Sequence, residues 1–272
     1  LVIPLAVDAS PTNAKQSAAQ SSAQAGDAAF NNVWERTDKA VLEGKAQRTW
    51  VWGPEPVVTL QEPLVEGLGG TREVRYYPKS RMEINNPNAA PLSPWYVTNG
   101  LLVYEMVSGR VQVGADKYEK RDPARISIAG DTITDTGRLE REGAPPTYDD
   151  LRKVASLTPG QNIAQSRVGQ EVREKLLANG EISPLDSWYT ERGNLKLPKL
   201  EYYEKATNHN IPDVFWRFMN RSGTVYENGQ YKEGKLIDWV YALGYPITEP
   251  YWIRVPIRNS PTLVLMQAFT YG

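Results

Sequence analysis

Apolar positions recur at helical spacing between residues 27 and 42. Phe30, Val33, Trp34, Thr37 and Val41 fall on one stripe, and Gly44 supplies a stop. The pattern then changes to short aromatic and β-branched runs over 49–52, 57–60 and 72–77. Gly and Pro separate them, which predicts strands joined by turns. A longer apolar run, 95–107, has Asn99-Gly100 inside it and admits two readings: a strand pair about that turn, or a helix starting after Asn99. Residues 111–113 and 125–128 read as further strands, and the polar, Gly-bearing stretch 130–146 as a loop and boundary. Helical spacing returns over 148–157 and 166–177, the latter with Val168, Val172, Leu176 and Leu177 on one face and Asn179-Gly180 as a stop. A short helix is predicted over 212–220, with Phe215, Trp216 and Met219 inward. Another is predicted over 236–243, ended by Gly244, and a strand over 262–269.

The sum is an α+β fold: short antiparallel strands with peripheral helices, two related small modules around a helical middle segment, and an extended N-terminal arm. The boundaries are 1–29 for the arm, 30–130 for the first module, 131–205 for a loop and helical insert, and 206–272 for the second module. The arm opens on the apolar residues Leu1, Val2, Ile3, Leu5 and Val7. Pro4 lacks an N–H and confines any strand there to a sheet edge. The Ala/Ser/Gln tract that follows reads either as a linker or as a helix with Ser10 at its N-cap and Pro11 in its first turn.

Two stretches repeat a frame. Residues 50–63 read WVWGPEPVVTLQEP and residues 239–250 read WVYALGYPITEP. Each starts on an aromatic-rich run, turns at Gly-Pro or Gly-Tyr-Pro, and reaches Glu-Pro. The doubling predicts a small module used twice, of the kind that binds surfaces or its own copies.

Composition narrows the function. A formal net charge of -1 gives no global attraction to nucleic acid or to an anionic membrane surface. No apolar run is long enough for a transmembrane helix. The absence of Cys removes disulfides, thiolate nucleophiles and Cys-based metal sites together. The sequence opens on LVIPLAVDAS without Met, and the expectation is a mature chain after leader removal, located outside the cell or on its surface.

Residues 213–251 contain FWRFMNRSGTVYENGQY and then WVYALGYPITEPYW. The piece LGYPITE resembles the LGFP repeat, and the aromatic-Gly-x-Val-Tyr piece upstream fits the same module. That resemblance implies a secreted or wall-attached bacterial protein associated with the envelope. The N-terminal half resembles a divergent relative in bacterial surface proteins, through Phe30 and Trp34, Gly53-Pro54, and VRYYPKSRMEI over 74–84. The first block has Trp-Gly-Pro where the repeat has Leu-Gly-Phe/Tyr-Pro, the last block stops at QAFTYG, and the middle resembles no known module.

Candidate chemistry is sparse. His209 is the single imidazole; it lies in KATNHNIPD with no G-x-S-x-G elsewhere, and is expected at the surface or capping a turn. Glu62, Glu83, Glu105 and Glu249 stand near aromatic residues and are the carboxylates a glycosidase would pair. Glu62 and Glu249 hold equivalent places in the doubled frame, which favours turn contacts. Eight Trp and fifteen Tyr against four Phe favour aromatics with a polar handle, suited to interfaces and sugar stacking. Trp34, Trp216 and Trp239 sit at helical spacing and read as core. Tyr76, Tyr77, Trp95, Tyr96, Tyr251 and Trp252 lie beside turns and prolines and form a candidate surface patch. DTITD at 131–135 reads as a solvated loop, and no phosphate-cradling motif occurs, so neither metal nor cofactor is expected.

The function expected from these features is a secreted, non-enzymatic structural protein that assembles with itself into a filament or surface layer. The arm would add as a strand to a neighbour's sheet edge. The alternatives are a cell-wall or polysaccharide-binding module and a carbohydrate-active hydrolase with paired carboxylates.

Overall fold

The computed structural model describes residues 26–90, 93, 95–131, 144–191, 193, 195–258 and 260–272. The arm residues Leu1, Val2, Ile3, Leu5 and Val7, and the 131–135 loop beyond Asp131, lie outside the described residues.

Helix α1 covers 26–42, and its turn Glu35–Lys39 is π-helical. The wide turn changes the phase of the buried face. Thr37, Asp38 and Ala40 point inward, while Val41 is only partly buried. Asp38 accepts the amides of Val51, Trp52 and Gly53 at 2.8, 2.7 and 3.1 Å, and Trp34 Nε1 donates to the Gly53 carbonyl at 2.7 Å. Amides taken by a carboxylate are not available to a ladder, so 49–52, expected as a strand, is a loop clamped to α1. Gly53 has φ +141°, and a Cβ there would lie 2.4 Å from Pro78 Cδ, so only glycine lets the loop pass this turn.

Strands β1 (Val58–Pro63), β2 (Thr71–Tyr77), β3 (Ser80–Ile84) and β4 (Thr98–Asn99) form an antiparallel sheet in sequence order. Helix α2 (Leu102–Ser108) follows, so the run 95–107 resolves as the helix after Asn99. Strands β5 (Arg110–Gln112) and β6 (Tyr118–Lys120) make a hairpin, and α3 (Tyr148–Leu151) opens on a capping box between Thr147 and Asp150. Within 125–128 the pairing is one isolated bridge, Ser127 to Thr147, rather than a strand.

The helix expected over 166–177 is not formed. Gly169 has φ +90°, and beyond it Val172 and Leu176 are buried with Glu174 between them, which is the two-residue period of a strand. That segment enters β7 (Glu174–Leu176), which pairs with β8 (Ile182–Pro184). The chain continues through α4 (Trp188–Glu191), β9 (Leu200–Glu204), β10 (His209–Pro212), α5 (Asp213–Met219), β11 (Ser222–Glu227), β12 (Gln230–Lys235), α6 (Trp239–Leu243), β13 (Tyr251–Ile257) and β14 (Ser260–Met266). The second large sheet has the order β14-β13-β7-β8, antiparallel except for the contact of Trp252 with Lys175. The fold is α+β, with antiparallel strands in several small sheets.

The doubled frame takes two local forms. Glu62 and Pro63 end β1, whereas residues 239–243 are helical and Glu249 lies in the connection to β13. Both frames feed one core, which joins Phe30, Trp52, Tyr77 and Met82 to Ile211, Met219, Trp239 and Phe269. A second core packs α2 and α3 against β13 through Val107, Leu151 and Ile253, and a smaller one gathers Val172, Leu197, Leu200 and Trp252. No helix among the described residues is long and apolar enough to cross a membrane.

Candidate functional site

The six aromatics of the candidate surface patch are dispersed. Tyr77 and Tyr96 are buried in the first core, Tyr251 in the second and Trp252 in the third. The reason is strand alternation: Tyr251, Ile253 and Val255 face one side of β13, while Trp252 faces the other and donates through Nε1 to the Val172 carbonyl at 2.9 Å. Tyr76 is half-buried and donates to Glu62 at 2.7 Å. Trp95 alone is strongly exposed, at 62%.

The candidate carboxylates are held by arginine. On the face of the first sheet opposite its core, Arg72 Nη1 donates to Glu83 at 3.0 Å and Arg81 Nη1 to Glu105 at 2.6 Å, while Arg81 Nε lies 2.9 Å from the other Glu83 oxygen. Burial pushes the Glu83 carboxyl above its ordinary value, with Arg81 and Arg72 pulling the other way. Gly100 closes this pair from outside: a Cβ there would sit 2.1 Å from Glu83 Oε1 and 2.3 Å from Arg81 Nε. Glu83 therefore reaches no cleft. Glu105 does border a cavity of about 420 Å³, together with Glu62, Tyr76 and Arg81.

His209, expected at the surface, is fully buried in β10. Its Nε2 lies 2.9 Å from Ser156 Oγ and its Nδ1 lies 3.2 Å from Glu249 Oε1. Glu249 also accepts from the Asn210 amide at 2.8 Å, from Asn210 Nδ2 at 3.0 Å and from Arg167 Nη2 at 2.7 Å. Burial works against its charge, but the hydrogen bonds from His209, Arg167 and Asn210 outweigh burial and hold the carboxyl below its ordinary value. Arg167 in turn grips Glu174 through both oxygens, at 2.6 and 3.1 Å. The LGYPITE segment is thus an interior seam: Thr248 and Glu249 are buried, and the Ile247 carbonyl takes the Ser156 amide at 2.7 Å.

A cavity of about 500 Å³ opens between α1, Ser93, residues 95–97 and residues 235–242. Trp52, Trp95, Tyr96 and Tyr241 give it an aromatic lining, and Asn32, Ser93, Lys235 and Asp238 supply polar groups. The Trp95 and Tyr241 rings lie 5.7 Å apart at 58°, and the Tyr241 hydroxyl donates to the Val97 carbonyl at 2.8 Å, which fixes that ring. Arg36, at one side, is tied to Glu227 and to the Leu236 carbonyl, both at 2.8 Å.

Tyr241, Ser156, Arg167 and Asn210 are not legible as site residues, because the partners that define their roles, Val97 for Tyr241, His209 for Ser156 and Glu249 for Arg167 and Asn210, lie 39 or more positions away along the chain. Among the described residues no cluster of His, Asp and Glu is arranged to hold a metal ion. Comparison with protein-family models, with curated proteins and with solved structures finds no match.

Proposed function

We propose that the chain is a glycan-binding module of a bacterial cell envelope, with the aromatic cavity as its binding site. The observation that carries this reading is Trp95: a large indole left exposed beside Tyr241, over a cavity whose lining is aromatic and whose edge is polar. An exposed indole at the mouth of an aromatic-lined cavity with a few polar groups is the arrangement of a ligand-binding groove. A sugar ring offers an apolar face to the rings and hydroxyls to Asn32, Ser93, Lys235 and Asp238. The near-zero net charge suits a neutral polysaccharide, and the resemblance of LGYPITE to an envelope-associated repeat supports the location.

The test is retention on sonicated peptidoglycan and binding to soluble wall polysaccharide followed by calorimetry. Trp95→Ala is expected to weaken binding at least tenfold, about 1.4 kcal/mol. Trp188→Ala, which removes another exposed indole, is expected to leave it unchanged. Wild-type protein that binds none of these glycans would overturn the reading.

A second reading, self-assembly, is favoured by one observation. Strand β1 is the edge of its sheet, and Val57, Val58 and Leu60 are exposed along it, at 70%, 41% and 45%. An apolar open edge is a template for an added strand.

A further inference from the structure

We propose that Ser156, His209 and Glu249 form a nucleophilic relay that accepts acyl groups, with small acyl esters as its substrate class. This site is separate from the aromatic cavity and does not depend on the glycan-binding reading.

The three side chains stand in the order such a relay requires. Glu249 is held in its ionised form by Asn210 and Arg167 as well as by His209, so the histidine nitrogen facing it, Nδ1, carries a proton. The opposite nitrogen, Nε2, then has its lone pair directed at Ser156 Oγ, 2.9 Å away. The serine hydroxyl has one proton and two acceptors within reach, Nε2 and the Gln161 carbonyl at 2.6 Å. Rotation of that proton from the carbonyl to Nε2 arms the oxygen.

Access and charge stabilisation are also present. His209 and Glu249 are buried, but Ser156 is half-exposed, and residues 158–162 beside it are exposed. A base shielded from water behind a reachable hydroxyl is the arrangement nucleophilic catalysis uses. The amide of Leu157, next to the serine, donates to no protein acceptor among the described residues. An amide in that position can receive the developing oxyanion.

In the reaction, Ser156 Oγ attacks the acyl carbon. The Oγ–C bond forms, the bond to the leaving alcohol breaks, and the serine proton passes through Nε2 to the departing oxygen. Water then repeats the sequence, releasing the acid and restoring the serine. With the histidine buried, only the outer side of the hydroxyl is open, which limits the acyl group to a small one.

The experiment uses the full chain and a fluorophosphonate probe, with the adduct located by peptide mass spectrometry and turnover followed on p-nitrophenyl acetate. The expected result is an adduct on Ser156, its loss in Ser156→Ala, and labelling slowed about 100-fold in Glu249→Gln, the scale of a general base. The wild-type protein decides the matter without any variant. If its Ser156 is unlabelled, or labels no faster than other exposed serines while circular dichroism shows the native fold, the proposal is overturned.

Discussion

At the scale of single residues, two buried glutamates, Glu83 and Glu249, respond oppositely to pH. Glu249 has its folded pKa depressed: burial acts against the charge, but donors from His209, Arg167 and Asn210 prevail. Its contribution is therefore present above the ordinary glutamate value and is lost as pH falls through the lower folded value. Glu83 has its folded pKa raised, chiefly by burial, so its contribution is full below the ordinary value and declines as pH rises through the folded one. The expected outcome is a urea midpoint that drops on acidification below the glutamate range in the wild type, with a shallower drop in Glu249→Gln. Midpoints measured across acidic pH check this, and equal slopes in the two proteins would show that Glu249 does not contribute. The sequence could nominate both glutamates, but their signs come from neighbours it does not reveal. Glu83 meets Arg81 two positions away in β3 and Arg72 across the β2–β3 pairing, whereas Glu249 meets Arg167 from 82 positions earlier.

At the scale of elements, one side chain decides what the first frame becomes. Asp38 is fully buried because the π-helical turn rotates it inward, and its carboxylate satisfies three successive amides of the 51–53 loop. Asp38→Ala leaves those amides in a dry site without an acceptor and is expected to cost about 3 kcal/mol. Chemical denaturation measures this loss, and a change below about 0.5 kcal/mol would mean that water replaces the carboxylate. The same interaction explains why local pattern succeeds for some elements and fails for others. Helix α1, strand β2, helices α5 and α6 and strand β14 carry their own periodicity and stop signals, so each was readable alone. The 49–52 run has strand letters, but its hydrogen bonds go to a distant carboxylate. Residues 166–177 offer helical spacing and strand alternation at once, and pairing with β8 and β13 selects the strand. For the aromatics, a neighbouring proline suggests a turn and hence exposure, yet Pro250 is itself buried and Tyr251 and Trp252 follow it directly into β13, where both are buried.

At the scale of the whole molecule, the first core ties residues 29–97 to residues 211–269, so the two frame-bearing stretches are packed as one body and not as beads on a string. Among the sheet edges of the described residues, β1 is one where the molecule can extend beyond itself. Natural edges are blunted by charge, yet β1 presents Val58 and Leu60, with Val57 beside them. A segment with the composition of Leu1, Val2, Ile3, Leu5 and Val7 matches such an edge, because Pro4 tolerates a strand position whose N–H faces away from the ladder. Donation from one copy to the next is head-to-tail, and a rotation that does not close yields a filament. Analytical ultracentrifugation is expected to show concentration-dependent growth of the full chain. Deletion of residues 1–7 and, separately, Leu60→Lys are each expected to reduce the protein to folded monomer. The two changes act on opposite partners of one contact, so mixing the deleted protein with Leu60→Lys should produce dimers and nothing larger: the intact arm of the second meets the intact edge of the first. A full chain that stays monomeric, or a deletion that assembles normally, would rule this mechanism out, and a mixture that forms long assemblies would place the contact somewhere other than β1.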